Sequence, residues 1–193
     1  MALPAIDPAR YAEQLADKTA RFRAAFAAAG IALPAPEVFA SPPLHYRLRA
    51  EFRIWHHGGR LDYAMFDPDE PRTPVFIDDF PVAAQAICEL MPRLRDRLQA
   101  DAVLAERLFQ VDFHTTLIGD TLLCLIYHRP LDEAWEAAAT ALAADLDVQL
   151  IGRSRGQKRV IGRDWVLEEF ELDGRTLRYQ HIEGSFSQPN GEV

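Results

Sequence analysis

The sequence predicts an α+β fold: an antiparallel, hairpin-rich sheet with helices packed on it. Three observations carry this. Pairs of alternating, extended segments are joined by short glycine-containing turns at His57-Gly58-Gly59, Gly119-Asp120 and Asp173-Gly174. Between them the apolar period changes from two to that of a helix. The length of 193 residues with 49% hydrophobic content allows a sizeable core in one domain, or one and a half.

The elements follow in order. Residues 8–29 read as a helix: Asp7 is a fitting N-cap, Pro8 suits the first turn and Gly30 the C-terminal cap. Tyr11, Leu15, Phe22 and Phe26 fall on one face of it. A stiff connection with Pro34, Pro36, Pro42 and Pro43 follows. From Leu44 to Trp55 the chain alternates, with Leu48, Ala50, Phe52 and Ile54 on one face and Arg47, Arg49, Glu51 and Arg53 on the other. Leu61 to Phe66 is the return strand. Asp67 to Pro74 is expected as a loop and 75–77 as a short strand.

A helix is expected over 81–99, capped by Asp78 or Asp79 and kinked or split at Pro92, with a further turn or two over 101–107. Leu108 to Ile118 and Thr121 to His128 form the second hairpin. Leu131 to Ala144 is an alanine-rich helix anchored by Leu131, Trp135 and Leu142, and 147–151 is a strand. Gly152 to Gly162 reads as a loop. Trp165 to Leu172 and Thr176 to Ile182 flank a type I′ turn signal.

The net charge is −8, from 21 basic and 29 acidic residues, which argues against a non-specific DNA coater. Cys88 and Cys124 lie in apolar runs, where a thiol is usually buried and inert. No disulfide framework or metal-ligand spacing is present, and neither a signal peptide nor a membrane-length apolar stretch is found. A cytoplasmic monomer without a metal is the expectation.

Four features suggest chemistry. Arg47, Arg49 and Arg53 form a cationic strip whose guanidinium forks match phosphate oxygens; the alternative is a solvated sheet face. Arg153, Arg155, Lys158, Arg159 and Arg163 make the most basic stretch of an acidic chain, which suits phosphate contacts; the alternative is a mobile surface loop. Phe109 or Phe113 could stack on an unpaired base, the alternative being that they belong to the core, and His128 could stack against or hydrogen-bond to RNA. Near the end, Phe186, Gln188 and Asn190 alternate, offering an aromatic face and two amides to a planar polar ring; the alternative is a polar tail.

Several blocks together resemble the tRNA (uracil-5-)-methyltransferase family, in its order and near its spacing. They are Glu37-Val38-Phe39, His45-Tyr46-Arg47, Arg49-Ala50-Glu51-Phe52-Arg53-Ile54-Trp55, Leu108-Phe109-Gln110-Val111-Asp112, Tyr127-His128, Leu150-Ile151-Gly152-Arg153 and Ser185-Phe186-Ser187-Gln188-Pro189-Asn190. The resemblance spans essentially the whole chain and is nearest to the bacterial branch acting on tRNA and tmRNA.

The resemblance implies S-adenosyl-L-methionine as methyl donor and the T-arm of tRNA, with tmRNA, as RNA partner. It implies a thiolate that adds to C6 of a flipped uracil, methyl transfer to C5, and removal of the C5 proton by a carboxylate. Gln188 would border the donor and the target base; Arg53, Phe109 and His128 would lie against the T-loop. The family's nucleophile, base and Rossmann-like donor domain follow the Phe-x-Gln-x-Asn block, and neither cysteine here has the nucleophile's surroundings. Residues 1–183 are thus expected to be the RNA-recognition domain and 184–193 the link into a methyltransferase domain missing from this chain, through either a longer protein or a truncated gene. The chain alone is expected to lack activity. A stand-alone RNA-binding, chaperone-like module and a protein-binding domain are the rival readings.

Overall fold

A computed structural model describes residues 6–193. A seven-stranded sheet runs in the order β3-β2-β1-β4-β5-β6-β7. Its strands are β1 (Arg49–His57), β2 (Arg60–Asp67), β3 (Glu70–Ile77), β4 (Leu108–Thr115), β5 (Thr121–Tyr127), β6 (Gln149–Ser154) and β7 (Gln157–Ile161). Every pairing is antiparallel except β5 with β6, which are parallel and joined across helix α4 (Glu133–Leu146). A separate hairpin, β8 (Trp165–Leu172) and β9 (Arg175–Ile182), follows.

The predicted alternation in β1 holds. Ala50, Phe52 and Ile54 are buried with Phe113, Leu123, Leu125 and Leu150 beneath helices α2 (Gln85–Ala100) and α4. Helix α2 contributes Ile87, Leu90, Met91, Leu94 and Leu98, and the short α3 (Ala102–Ala105) adds Leu104. On the opposite face Val166 of β8 covers Leu122, Cys124 and Ile151, and His181 of β9 stacks on His114 of β4, so the last hairpin shields only part of that face. The rest of that face stays open. At the β8–β9 turn Asp173 and Gly174 both have positive φ, 50° and 72°, as the type I′ signal requires.

Four expectations are corrected. Residues 70–74 are strand, not loop: β3 is an edge strand, where Pro71 and Pro74 need not donate to a ladder. Pro92 sits inside a continuous α2. That helix starts at Gln85 rather than 81, because the preceding segment pairs with the chain before β1: Arg47 N donates to Val82 O and Ala84 N to Arg47 O. Residues 152–162 are not a loop; most belong to the β6–β7 hairpin, which turns at Arg155-Gly156.

Helix α1 (Tyr11–Ala28) is preceded by a 3-10 turn, Pro8–Arg10, where Asp7 Oδ1 accepts from Ala9 N. It ends in a Schellman motif: Gly30 N donates to Ala27 O and Ile31 N to Phe26 O. No residue of α1 is buried.

Candidate nucleic-acid interface

A β-bulge builds the centre of the site. Between Leu108 and Gln110 strand β4 carries one residue more than β5 opposite it, and that residue is Phe109. Leu108 stays in the core, while Phe109 turns toward the outward side chain of Arg53. The Arg53 guanidinium carbon lies 3.9 Å from the Phe109 ring centroid. The His128 ring stacks on Phe109 with centroids 4.0 Å apart and planes 25° from parallel. Two planar groups at such distances cannot share one face of a ring, so Phe109 lies between them. His128 is exposed, Arg53 half-buried.

Arg53 Nη1 is buried with no hydrogen-bond acceptor among the described residues. A charged donor left in that state is costly unless something else supplies an acceptor. The His128 ring is thus exposed on one face of Phe109, and the half-buried Arg53 guanidinium lies on the other, its Nη1 without an acceptor among the described residues. Those properties suit an unstacked base and an adjoining phosphate. Phe113, the other aromatic considered for stacking, is 1% exposed and packs edge-on against Phe52.

Arg47, just before β1, and Arg49 and Arg53 within it do not form one strip. Arg47 turns back on its own chain, donating from Nε to Arg49 O at 2.8 Å. Arg49 lines a cleft of about 370 Å³ with Glu51, Asp112, His114 and Glu183. Burial pushes the Asp112 carboxyl up to about 6, with Glu51 adding to the effect and the Gln110 amide opposing it. Burial, helped by Arg49 and His181, brings His114 down to about 3. The His114 and His181 rings stack at 5.6 Å.

The basic stretch is mostly paired. Arg153 donates to both carboxylate oxygens of Glu183, at 2.8 Å and 2.5 Å. Lys158 bridges Asp164 and Glu183. Arg159 pairs with Glu136 and Arg163 with Asp120. Burial alone would raise the Glu183 carboxyl, but Arg153 and Lys158 outweigh it and hold it below its usual value. Arg155, exposed at the hairpin turn, forms no ion pair among the described residues. With His128, Arg129 and Arg153 it lines an open cleft of about 680 Å³.

The terminal motif is anchored rather than free. Leu48 N donates to Pro189 O and Gly191 N to Tyr46 O, so the segment pairs beside Arg47. Phe186 is 90% exposed. Gln188 is exposed and its amide makes no hydrogen bond among the described residues. Gln188 lines two clefts, one with Tyr11 and Phe39 and one with Leu48 and Phe186. Burial raises the Cys88 thiol to about 11 and the Cys124 thiol to about 12, so neither supplies a thiolate near neutral pH. Among the described residues no cluster of three or more His, Cys, Asp or Glu could hold a metal, and no helix is long and apolar enough to cross a membrane.

Sequence reasoning did not find Glu183, which fixes Arg153 and leads into the terminal motif. A lone glutamate before Gly184 carries no local signal; its role appears only when β6 and the end of β9 meet. The unpaired state of Arg53 Nη1 is equally invisible in sequence.

The sequence profile of the family described as tRNA (Uracil-5-)-methyltransferase matches residues 10–193. The chain belongs to that family. It is 65% identical, over its whole length, to 52% of a tRNA/tmRNA (uracil-C(5))-methyltransferase of Aromatoleum aromaticum. It is 64% identical, again over its whole length, to 52% of the same-named protein of an Azoarcus species. The chain thus spans about half the length of these curated relatives. A solved structure from Pyrococcus abyssi, described as a tRNA (uracil-54, C5)-methyltransferase in complex with S-adenosyl-L-homocysteine, shares the fold with a TM-score of 0.62. Its identity is 16%, and the match covers 94% of this chain and 45% of that one.

Proposed function

We propose that this chain is the RNA-recognition half of an S-adenosyl-L-methionine-dependent methyltransferase that makes 5-methyluridine in the T-loop of tRNA, and in tmRNA, in the cytoplasm. The observation that carries the reading is the Arg53–Phe109–His128 stack with its orphaned guanidinium nitrogen. In this reading His128 presents the stacking surface, Phe109 spaces it from Arg53, and Arg53 takes a phosphate. Arg155, Arg49 and the paired cations Arg153, Lys158 and Arg159 supply the surrounding positive field, with Arg47 at its edge. Gln188 faces the donor and target base from its anchored segment.

The chain alone is inactive in this reading, since neither of its thiols is activated. The test is binding of a T-arm hairpin RNA to the 193-residue chain at fixed moderate salt. Arg53→Ala and Phe109→Ala should each weaken it. Unchanged affinity in both would remove the assignment, and methyl transfer by the 193-residue chain would remove the claim of inactivity.

A further inference from the structure

Helix α1 is an amphipathic helix whose apolar face is only partly covered, Tyr11, Leu15 and Phe26 being half-buried. Its 18 residues include no buried side chain. Phe22 is 48% exposed, and the Phe22 and Phe26 rings touch each other at 4.9 Å rather than a core. The contact of its Tyr11 Oη with Ser41 Oγ is long, at 3.5 Å. A helix of this length draws most of its stability in water from packing of its apolar face. Downstream of it Ile31, Val38 and Phe39 are also exposed, Phe39 at 66%.

The location of this face points to its occupant. Tyr11 and Leu15 of α1 line a cleft of about 390 Å³ whose other walls are Phe39, Tyr46, Gln188 and Val193. Chain leaving Val193 starts beside this partly covered stripe. The Aromatoleum aromaticum relative, matched over only 52% of its length, has about as much chain again to place.

We propose that the α1 stripe, Leu15, Phe22 and Phe26, is the seat for the part of a full-length protein that follows residue 193. This rests on family membership and not on the RNA-binding reading. Helix α1 then moves with the second half, although it comes first in the chain. The two halves are joined twice, through the proline-rich connection 31–44 and at residue 193. A double connection restricts their relative movement and keeps the cleft holding Gln188 between them.

The test compares the 193-residue chain with the same chain continued after Val193 by the second half of the Aromatoleum aromaticum relative. Phe22→Cys is introduced in both, and maleimide modification at position 22 is followed by peptide mass spectrometry. Modification should be fast in the short chain and at least ~10-fold slower in the long one, as burial allows reaction only through local opening. Ala24→Cys, on the opposite face, should react alike in both. Equal rates at position 22 would overturn the proposal. So would slowing in the short chain as its concentration rises, which would give the face to a second copy. A second measurement needs no thiol: Phe26→Glu should lower the unfolding temperature of the long protein and leave that of the short chain unchanged. Equal shifts in both would also overturn it.

Discussion

The Arg53 guanidinium carbon lies 3.9 Å above the ring of Phe109, though the two residues come from different hairpins. Neighbouring strands β1 and β4 bring them together, and the bulge at Phe109 aims the ring. Stacking positions the guanidinium without satisfying it, and its Nη1 stays buried with no acceptor among the described residues. Phe109→Ala removes the spacer between Arg53 and His128. Because the His128 ring then loses its support, the expected cost to T-arm RNA affinity is ~1–3 kcal/mol, the usual range for lost base–aromatic stacking. The slope of affinity against salt should stay as in the parent, because no cation is lost. Titrations at several salt concentrations read both quantities.

Arg155 and Arg153 stand two positions apart and should behave differently. Arg155 is exposed and unpaired at a turn, so Arg155→Ala should leave thermal stability unchanged and reduce the salt slope of RNA binding by about 1. Arg153 is bound to Glu183, whose side chain is only 13% exposed. Arg153→Ala leaves that carboxylate with Lys158 alone, so it should lower the unfolding temperature and loosen residues 183–190 in hydrogen exchange. A loss of RNA affinity in Arg153→Ala would then report the displaced terminal segment as well as any lost contact. If the unfolding temperature falls with Arg155→Ala and not with Arg153→Ala, this division is wrong.

What could be read in the sequence was what depends on local pattern. The period of two in β1, the Asp-Gly turn at 173–174 and the Gly30 cap that ends α1 are set by residues next to one another, and all stand in the structure, whereas Asp7 caps the 3-10 turn before α1 and not α1 itself. The edge strand at 70–74 was hidden, because prolines argue against a strand unless its position at the sheet edge is known. The basic stretch was legible as charge but not as ion pairs, since Glu136, Asp120 and Glu183 come from other elements. Arg53, Phe109 and His128 were each singled out, the family resemblance having put them at one surface. Their mutual stacking was not readable, because it depends on a bulge that no short motif announces.

Asp112 and His114 pull the pH dependence of stability in opposite directions. The Asp112 carboxyl rises from 3.8 to about 6 on folding, so its contribution is fully present below 3.8 and is lost as pH rises through about 6. His114 falls from 6.5 to about 3, so its contribution is present above 6.5 and is lost as pH falls toward about 3. Between about 4 and 6 the two partly cancel. Asp112→Asn removes the first and leaves the second. The variant should unfold at a higher temperature than the parent at pH 7.5, where the parent buries a charged carboxylate. That advantage should vanish near pH 4, and the rise of stability between these values should steepen. A gain that is the same at both pH values would mean that relief of the carboxylate is not its cause.

Gly152 shows how closely α4 sits on the sheet. A β-carbon built there would lie 2.2 Å from Trp135 Cη2 and 2.8 Å from Leu131 Cδ1. Neither neighbour has room to give way. Trp135 is fully buried and meets the Tyr127 ring edge-on, and Leu131 is 2% exposed. The glycine is needed for this close approach and not for a left-handed backbone, since its φ is not positive. Gly152→Ala therefore forces α4 away from β6 or twists the indole from its position. The cost should be at least ~1–3 kcal/mol, the usual range for overpacking a filled core. Because β6 also carries Arg153, the shift should reach Glu183 and the segment it holds. The check is denaturant unfolding, with a lower midpoint and an unchanged slope expected. An unchanged midpoint would mean that α4 can move off the sheet freely, and the core would then be looser than this packing implies.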